Sequence, residues 1–149
     1  HGDIHNSHYD CGGGSKAVWV FLSTGWCGAC NSYARQVEAL YNAYGDQGLR
    51  VLWIVGEAGV KGTGSISNAE FDEYVLAHSP MSLTVVRNPG FNATETYLDS
   101  TTPALPHQYI LDGSSMELVF KQGGTGEAGE DKIAELLGVD AATFKAAAN

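Results

Sequence analysis

The sequence predicts an α/β domain with a central mixed sheet of about five strands flanked by helices, in the order β-α-β-α-β-α-β-β-α. Three observations carry this reading. Short apolar runs alternate with segments whose apolar residues recur at helical spacing, which is the pattern of βαβ units and parallel strands. The last two runs are instead joined by the turn Asp112-Gly113-Ser114-Ser115, so the sheet should end in an antiparallel hairpin. Finally, 149 residues that are 44% hydrophobic and 17% charged suit one compact domain with an ordinary core.

The segment His1 to Ser15 is polar and closes on Gly12-Gly13-Gly14-Ser15, the composition of a flexible lead-in, and the domain proper is expected over residues 16–149. Ala17 to Leu22 reads as a buried strand, and Tyr33, Val37, Leu40 and Tyr44 mark the helix after it. The turn Gly45 to Gly48 leads to a second buried strand, Leu49 to Val55, which should run parallel to the first. Gly56 to Ser65 is a glycine-rich loop. Ser67 and Glu70 have the spacing of a capping box, opening a helix whose apolar face is Phe71, Tyr74, Val75 and His78. Leu83 to Val86 is a third strand, Phe91 to Leu98 a short helix, and Ser100 to Pro106 a loop with two prolines. The hairpin comprises His107 to Leu111 and Met116 to Lys121. A last amphipathic helix carries Ile133, Leu136 and Leu137, with an alanine-rich tail beyond it.

Charge excludes several function classes. Eight Lys and Arg stand against 17 Asp and Glu, a net charge of −9, which disfavours nonspecific binding to nucleic acid or to an anionic membrane. The longest apolar run, Ala17 to Leu22, is far short of the roughly 20 residues that span a bilayer. His1 is no translation start, so a processed form, or a chain missing its natural beginning, is expected. Nothing in the pattern demands a dimer, and a monomer is expected. Asn92-Ala93-Thr94 matches a glycosylation triplet of a kind frequent by chance.

The chemistry is carried by Trp26-Cys27-Gly28-Ala29-Cys30. Two thiols three residues apart, after a strand and at the start of a helix, make a disulfide switch. Unpaired backbone N–H groups and the positive end of the helix dipole favour an anion in the first turn, and the thiolate is the nucleophilic form of cysteine. Cys27 is therefore expected to attack and Cys30, one turn further in, to resolve the mixed disulfide. The Cys27–Cys30 couple itself is the redox group, and no further cofactor is expected. A structural zinc site would need about four ligands, and no partner pair stands at suitable spacing. A copper carrier using Cys27, Cys30 and His107 is the alternative, since thiolates and imidazole suit Cu(I). Cys11 is unpaired in number, and His1, His5 and His8 lie in the same lead-in.

With Trp26 directly before the first cysteine, an extra helix and strand between Ile66 and Val86, and Pro106 six residues ahead of Asp112, the chain resembles the thioredoxin superfamily. Within it, the likeness is to the exported TlpA/ResA-like thiol–disulfide oxidoreductases, over about Lys16 to Leu137. The resemblance implies a thioredoxin-like fold and a location outside the cytoplasm, secreted or tethered. It also implies a reductase acting on protein disulfides and recharged by an upstream redox donor, although oxidase or isomerase would need only another potential on the same scaffold. It implies a cis proline facing the thiols, with Pro106 matching the position and Pro103 as runner-up. Leu105 would then pair with an extended substrate, and Trp26, Gly28, Ala29, Leu105 and Pro106 make up the expected substrate-contacting set. Departures are informative. Phe21 stands where most members carry an acidic residue or asparagine, and Tyr33 where some carry glutamate. Ala29 replaces a common proline, implying a more adaptable first turn and a shifted potential. The proton acceptor for Cys30 is thus open, with Glu57 at the C-terminal end of the second strand as candidate.

Overall fold

A computed structural model describes residues 14–57, 64–78, 82–92 and 104–148. The strand that organises it is β1 (Ala17–Ser23), buried at every position. Such a run has no solvent side, which fits a strand flanked on both edges and covered on both faces. The sheet order is β3-β2-β1-β4-β5, built with β2 (Leu49–Val55), β3 (Thr84–Arg87), β4 (His107–Asp112) and β5 (Leu118–Gly123). β2 runs parallel to β1 and β3 parallel to β2, whereas β4 is antiparallel to both β1 and β5. This is the mixed five-stranded sheet that the alternation and the terminal hairpin require.

Side chains alternate across β1. Ala17, Trp19 and Phe21 join one core cluster, with Val51, Trp53 and Ile110 from neighbouring strands. α1 (Gly28–Tyr44) covers this face with Cys30, Tyr33, Ala34, Val37, Leu40 and Tyr44, an i, i+3, i+4, i+7 stripe. α3 (Glu127–Leu137) adds Ile133, Ala134 and Leu137. The alanine-rich tail forms a separate helix, α4 (Ala141–Ala146), because Gly138 takes a left-handed conformation that ends α3 and Asp140 caps the new start by accepting from Thr143 N at 2.8 Å. Phe144 of α4 is fully buried, its ring 4.8 Å from that of Tyr44. Val18, Val20, Leu22, Ile54 and Tyr109 form a smaller cluster on the opposite face.

α2 (Asn68–Ala77) opens with the expected capping box: the Ser67 Oγ accepts from Glu70 N at 3.3 Å, and a Glu70 oxygen accepts from Ser67 N at 2.9 Å. Its inward face is narrower than the sequence suggests. Tyr74 alone is buried, and His78 stacks its ring on Tyr74 and meets Trp53 edge-on. A single 3₁₀ turn spans Pro89–Phe91, since Pro89 fixes its start; of the helix expected over Phe91 to Leu98, residues 93–98 lie outside the described residues. β5 begins at Leu118 rather than Met116, because the Asp112 carboxylate accepts from the backbone of Ser114 and Ser115 and Met116 takes a left-handed φ of 60°, which prolongs the turn. Of the lead-in, only Gly14 and Ser15 are described, and Ser15 is buried against the domain. Cys11, His1, His5, His8 and Pro103 lie outside the described residues. Among the described residues, no helix is long and apolar enough to cross a membrane.

The seating of Phe144 makes α4 part of the domain. Phe144→Ala should cost about 3–5 kcal/mol, as large-to-small changes of buried aromatics do, and urea unfolding would read this as a lowered midpoint with a single transition.

Candidate active site

β1 ends at Ser23, and four residues carry the chain from the sheet edge to α1. Two backbone bonds pin this connection to the end of β2: Gly56 N donates to Ser23 O at 3.1 Å and Gly25 N to Glu57 O at 3.1 Å. The Trp53 indole also bonds the Ser23 hydroxyl. The Asn31 side chain reaches back to Gly25 O at 3.4 Å and accepts from the Tyr74 hydroxyl at 2.9 Å, tying the loop to α2. Cys27 is thereby fixed at the N-cap of α1 with extended φ and ψ, and its sulfur accepts from Cys30 N at 3.2 Å. No acidic side chain occupies the first turn of that helix, so nothing there opposes a sulfur anion.

Cys27 and Cys30 are joined in a disulfide, their Cα atoms 5.2 Å apart. The two sulfurs differ in surroundings. Cys27 keeps 6% of its surface and Cys30 none, while Gly28 and Ala29 between them are exposed. The pair is therefore unequal only in degree, Cys30 being wholly enclosed and Cys27 nearly so. Trp26 is half-buried, packed on the main core cluster, and its indole donates to Glu57 Oε2 at 2.6 Å. The structure thus brings Glu57 to Trp26, one residue from Cys27, with its carboxylate engaged by the indole N–H.

The antiparallel register sets Leu22 opposite His107, so Leu105 and Pro106 arrive at the sheet end from which Cys27 departs. The Leu105–Pro106 peptide is cis. Leu105 packs on the same core cluster as Cys27, Cys30 and Trp26, and Pro106 O accepts from Gly124 N at 2.7 Å. Trp26, Cys27, Gly28, Ala29, Cys30, Leu105 and Pro106 therefore share one end of the sheet.

His107 does not join them. It is fully buried, and its ring lies 5.2 Å from that of Tyr109, a member of the cluster on the opposite face. Residues two apart on a strand share a face, so His107 turns away from α1 and both sulfurs. The three-ligand copper site is thus corrected by strand parity. Among the described residues, no group of three or more His, Cys, Asp or Glu side chains is placed to hold a metal ion.

One buried polar cluster escapes sequence reasoning. The Tyr33 hydroxyl donates to Glu130 Oε1 at 2.8 Å, and the Trp19 indole donates to Gln108 Oε1 at 3.0 Å, with Gln108 in turn donating to Gly124 O. Burial, and then the neighbouring Glu130 charge, push the Tyr33 phenol far above its ordinary range, so it stays a neutral donor. Burial likewise raises the Glu130 carboxyl, against smaller opposing effects of the Tyr33 hydrogen bond and the Lys145 charge. A glutamate at the start of an amphipathic helix gives no local signal of burial; only the contact 97 residues back to Tyr33 reveals it.

No family model matches the sequence, and no curated protein matches it. Solved structures do match in shape. A Chlorobium tepidum protein described as a thiol:disulfide interchange protein DsbE superposes with a TM-score of 0.66 at 20% identity, over 83% of this chain and 81% of that one. The thioredoxin domain of a Bacteroides vulgatus thiol-disulfide oxidoreductase gives 0.63 at 15%, over 89% and 84%. A secreted Mycobacterium tuberculosis disulfide oxidoreductase gives 0.53 at 11%, over 85% and 84%. At these identities the likeness is one of fold, and the chain has a thioredoxin-like fold with an oxidised Cys27–Cys30 pair at the N-terminus of its first helix.

Proposed function

We propose that the chain is a thiol–disulfide oxidoreductase that reduces disulfides of protein substrates outside the cytoplasm. The observation that carries this is the disulfide-bonded pair at the start of α1: Cys27, which keeps 6% of its surface, caps the helix, while Cys30, one turn on, is fully buried. In the reduced protein, Cys27 attacks a substrate disulfide and releases the first substrate thiol. Cys30 then attacks Cys27 Sγ, the Cys27–substrate bond breaks, and the second thiol leaves as the Cys27–Cys30 bond forms. An upstream dithiol donor reverses the exchange. No cofactor beyond the cysteines takes part.

The surroundings suit a chain-like substrate. Gly28 and Ala29 are exposed beside Cys27, and Trp26 offers a flat apolar shelf held by Glu57. Leu105, before Pro106, supplies the backbone along which an extended segment pairs. Glu57 is assigned the fixing of this shelf, since one oxygen of its carboxylate holds the indole. The net charge of −9 fits a partner that is neither nucleic acid nor an anionic membrane. The location outside the cytoplasm is supported by the description of a structural neighbour as secreted. The protein is proposed to act as a monomer.

The chain should accelerate reduction of insulin by dithiothreitol, and Cys27→Ser should abolish the acceleration; a native rate equal to the uncatalysed one would sink the reading. Cys30→Ala should instead accumulate a covalent mixed disulfide between Cys27 and its substrate, visible as a shifted band on non-reducing gels. For Glu57→Ala, loss of a hydrogen bond to a charged group, worth about 1.5–3 kcal/mol, loosens Trp26. The expected outcome is a several-fold higher KM for protein disulfides with little change in the rate towards a small aromatic disulfide.

A further inference from the structure

Resolution of the mixed disulfide requires Cys30 to lose its proton, and Cys30 is fully buried. Burial disfavours the thiolate, so at neutral pH a base must take that proton. The aromatic rings near it are poor bases: Phe21 and Tyr33 lie 5.9 Å apart, and both belong to the core cluster that contains Cys30. Tyr33 stands three residues after Cys30 on α1, which places their Cβ atoms about 5–6 Å apart on one helix face. Its hydroxyl ends on a carboxylate, Glu130 Oε1, at 2.8 Å. Glu130 retains 8% of its surface. Together with Tyr33, Gln36, Thr125 and Lys145 it lines an open cavity of about 390 Å³.

We propose that Glu130, acting through the Tyr33 hydroxyl, takes the Cys30 proton during resolution and exchanges it with solvent through this cavity. The assignment rests on the exchange reading above. The Cys30 proton is taken up by the Tyr33–Glu130 pair, in which the hydroxyl's own proton passes to Glu130 Oε1. The Cys30 sulfur attacks Cys27 Sγ, the Cys27–substrate S–S bond breaks, and the substrate leaves as a thiolate that solvent protonates. Two electrons pass from the cysteine pair to the substrate. When a donor dithiol reduces the pair, the proton returns along the same path to the Cys30 thiolate.

The groups around Glu130 support this role. Lys145 from α4 lowers its proton affinity, Glu127 and Asp131 on its own helix raise it, Tyr33 from α1 lowers it by hydrogen bonding, and burial outweighs these to raise it overall. Gln108 from β4, close to the Tyr33 hydroxyl, is uncharged. A carboxyl raised in this way is a stronger base than a surface one and closer in proton affinity to a thiol.

The test is a single-turnover reaction of the reduced protein with a small aromatic disulfide, whose two thiols appear in two phases, the second reporting attack by Cys30. Glu130→Gln and Tyr33→Phe should each slow the second phase at least tenfold at neutral pH, the lower side of what a positioned base contributes. The first phase should be unchanged, and both variants should converge on the native rate at alkaline pH, where Cys30 ionises unaided. Second-phase rates equal to native at neutral pH, or lowered by one factor at every pH, would overturn the proposal. If Glu130→Gln loses its near-ultraviolet circular dichroism, the nearly isosteric Tyr33→Phe decides. Failure of the native protein to release either thiol would instead refute the exchange reading itself.

Discussion

The fixed position of Cys27 at the first turn of α1 is the constraint on which the rest depends. A central strand with no exposed residue delivers the chain to the sheet edge, and bonds from Ser23, Gly25 and Asn31 leave the next residues little freedom. The sulfur then meets the open end of the helix. Its dipole and unpaired N–H groups supply about 0.3–1 kcal/mol for an exposed anion and about 2 kcal/mol in partly buried geometry. Such a field favours the thiolate over the thiol. Nothing further in the first turn opposes it, since no acidic side chain is present there.

The second consequence is asymmetry. One helical turn separates Cys27, which keeps 6% of its surface, from Cys30, which keeps none. Burial disfavours an anion at Cys30, whereas the helix end favours one at Cys27. Glu57 and the Tyr33–Glu130 pair occupy separate sides of this arrangement. The first holds the indole beside the outer sulfur, and the second lies one turn beyond the inner one.

Much of this is legible in the sequence because it is local. The CxxC spacing, the apolar stripe of α1, the Ser67–Glu70 box and the Asp112 turn each follow from residues within a few positions of one another. The parts that are not legible depend on long-range parity or packing. His107 follows Pro106 and so looks close to the thiols, but the register that pairs it with Leu22 turns its ring to the other face. Glu130 reads as an ordinary first-turn acid of α3, and Tyr33 as one more apolar position. Their pairing brings together residues from opposite ends of the chain, with no periodic signal to announce it.

The account predicts two unequal thiols in the reduced protein, and pH-dependent alkylation with iodoacetamide, followed by mass spectrometry of the separate peptides, measures this directly. Cys27 should react with an apparent pKa well below the free-thiol value of about 8.5, and Cys30 above it. Equal reactivity of the two, or Cys30 ionising first, would contradict the assignment of Cys27 as the attacking sulfur.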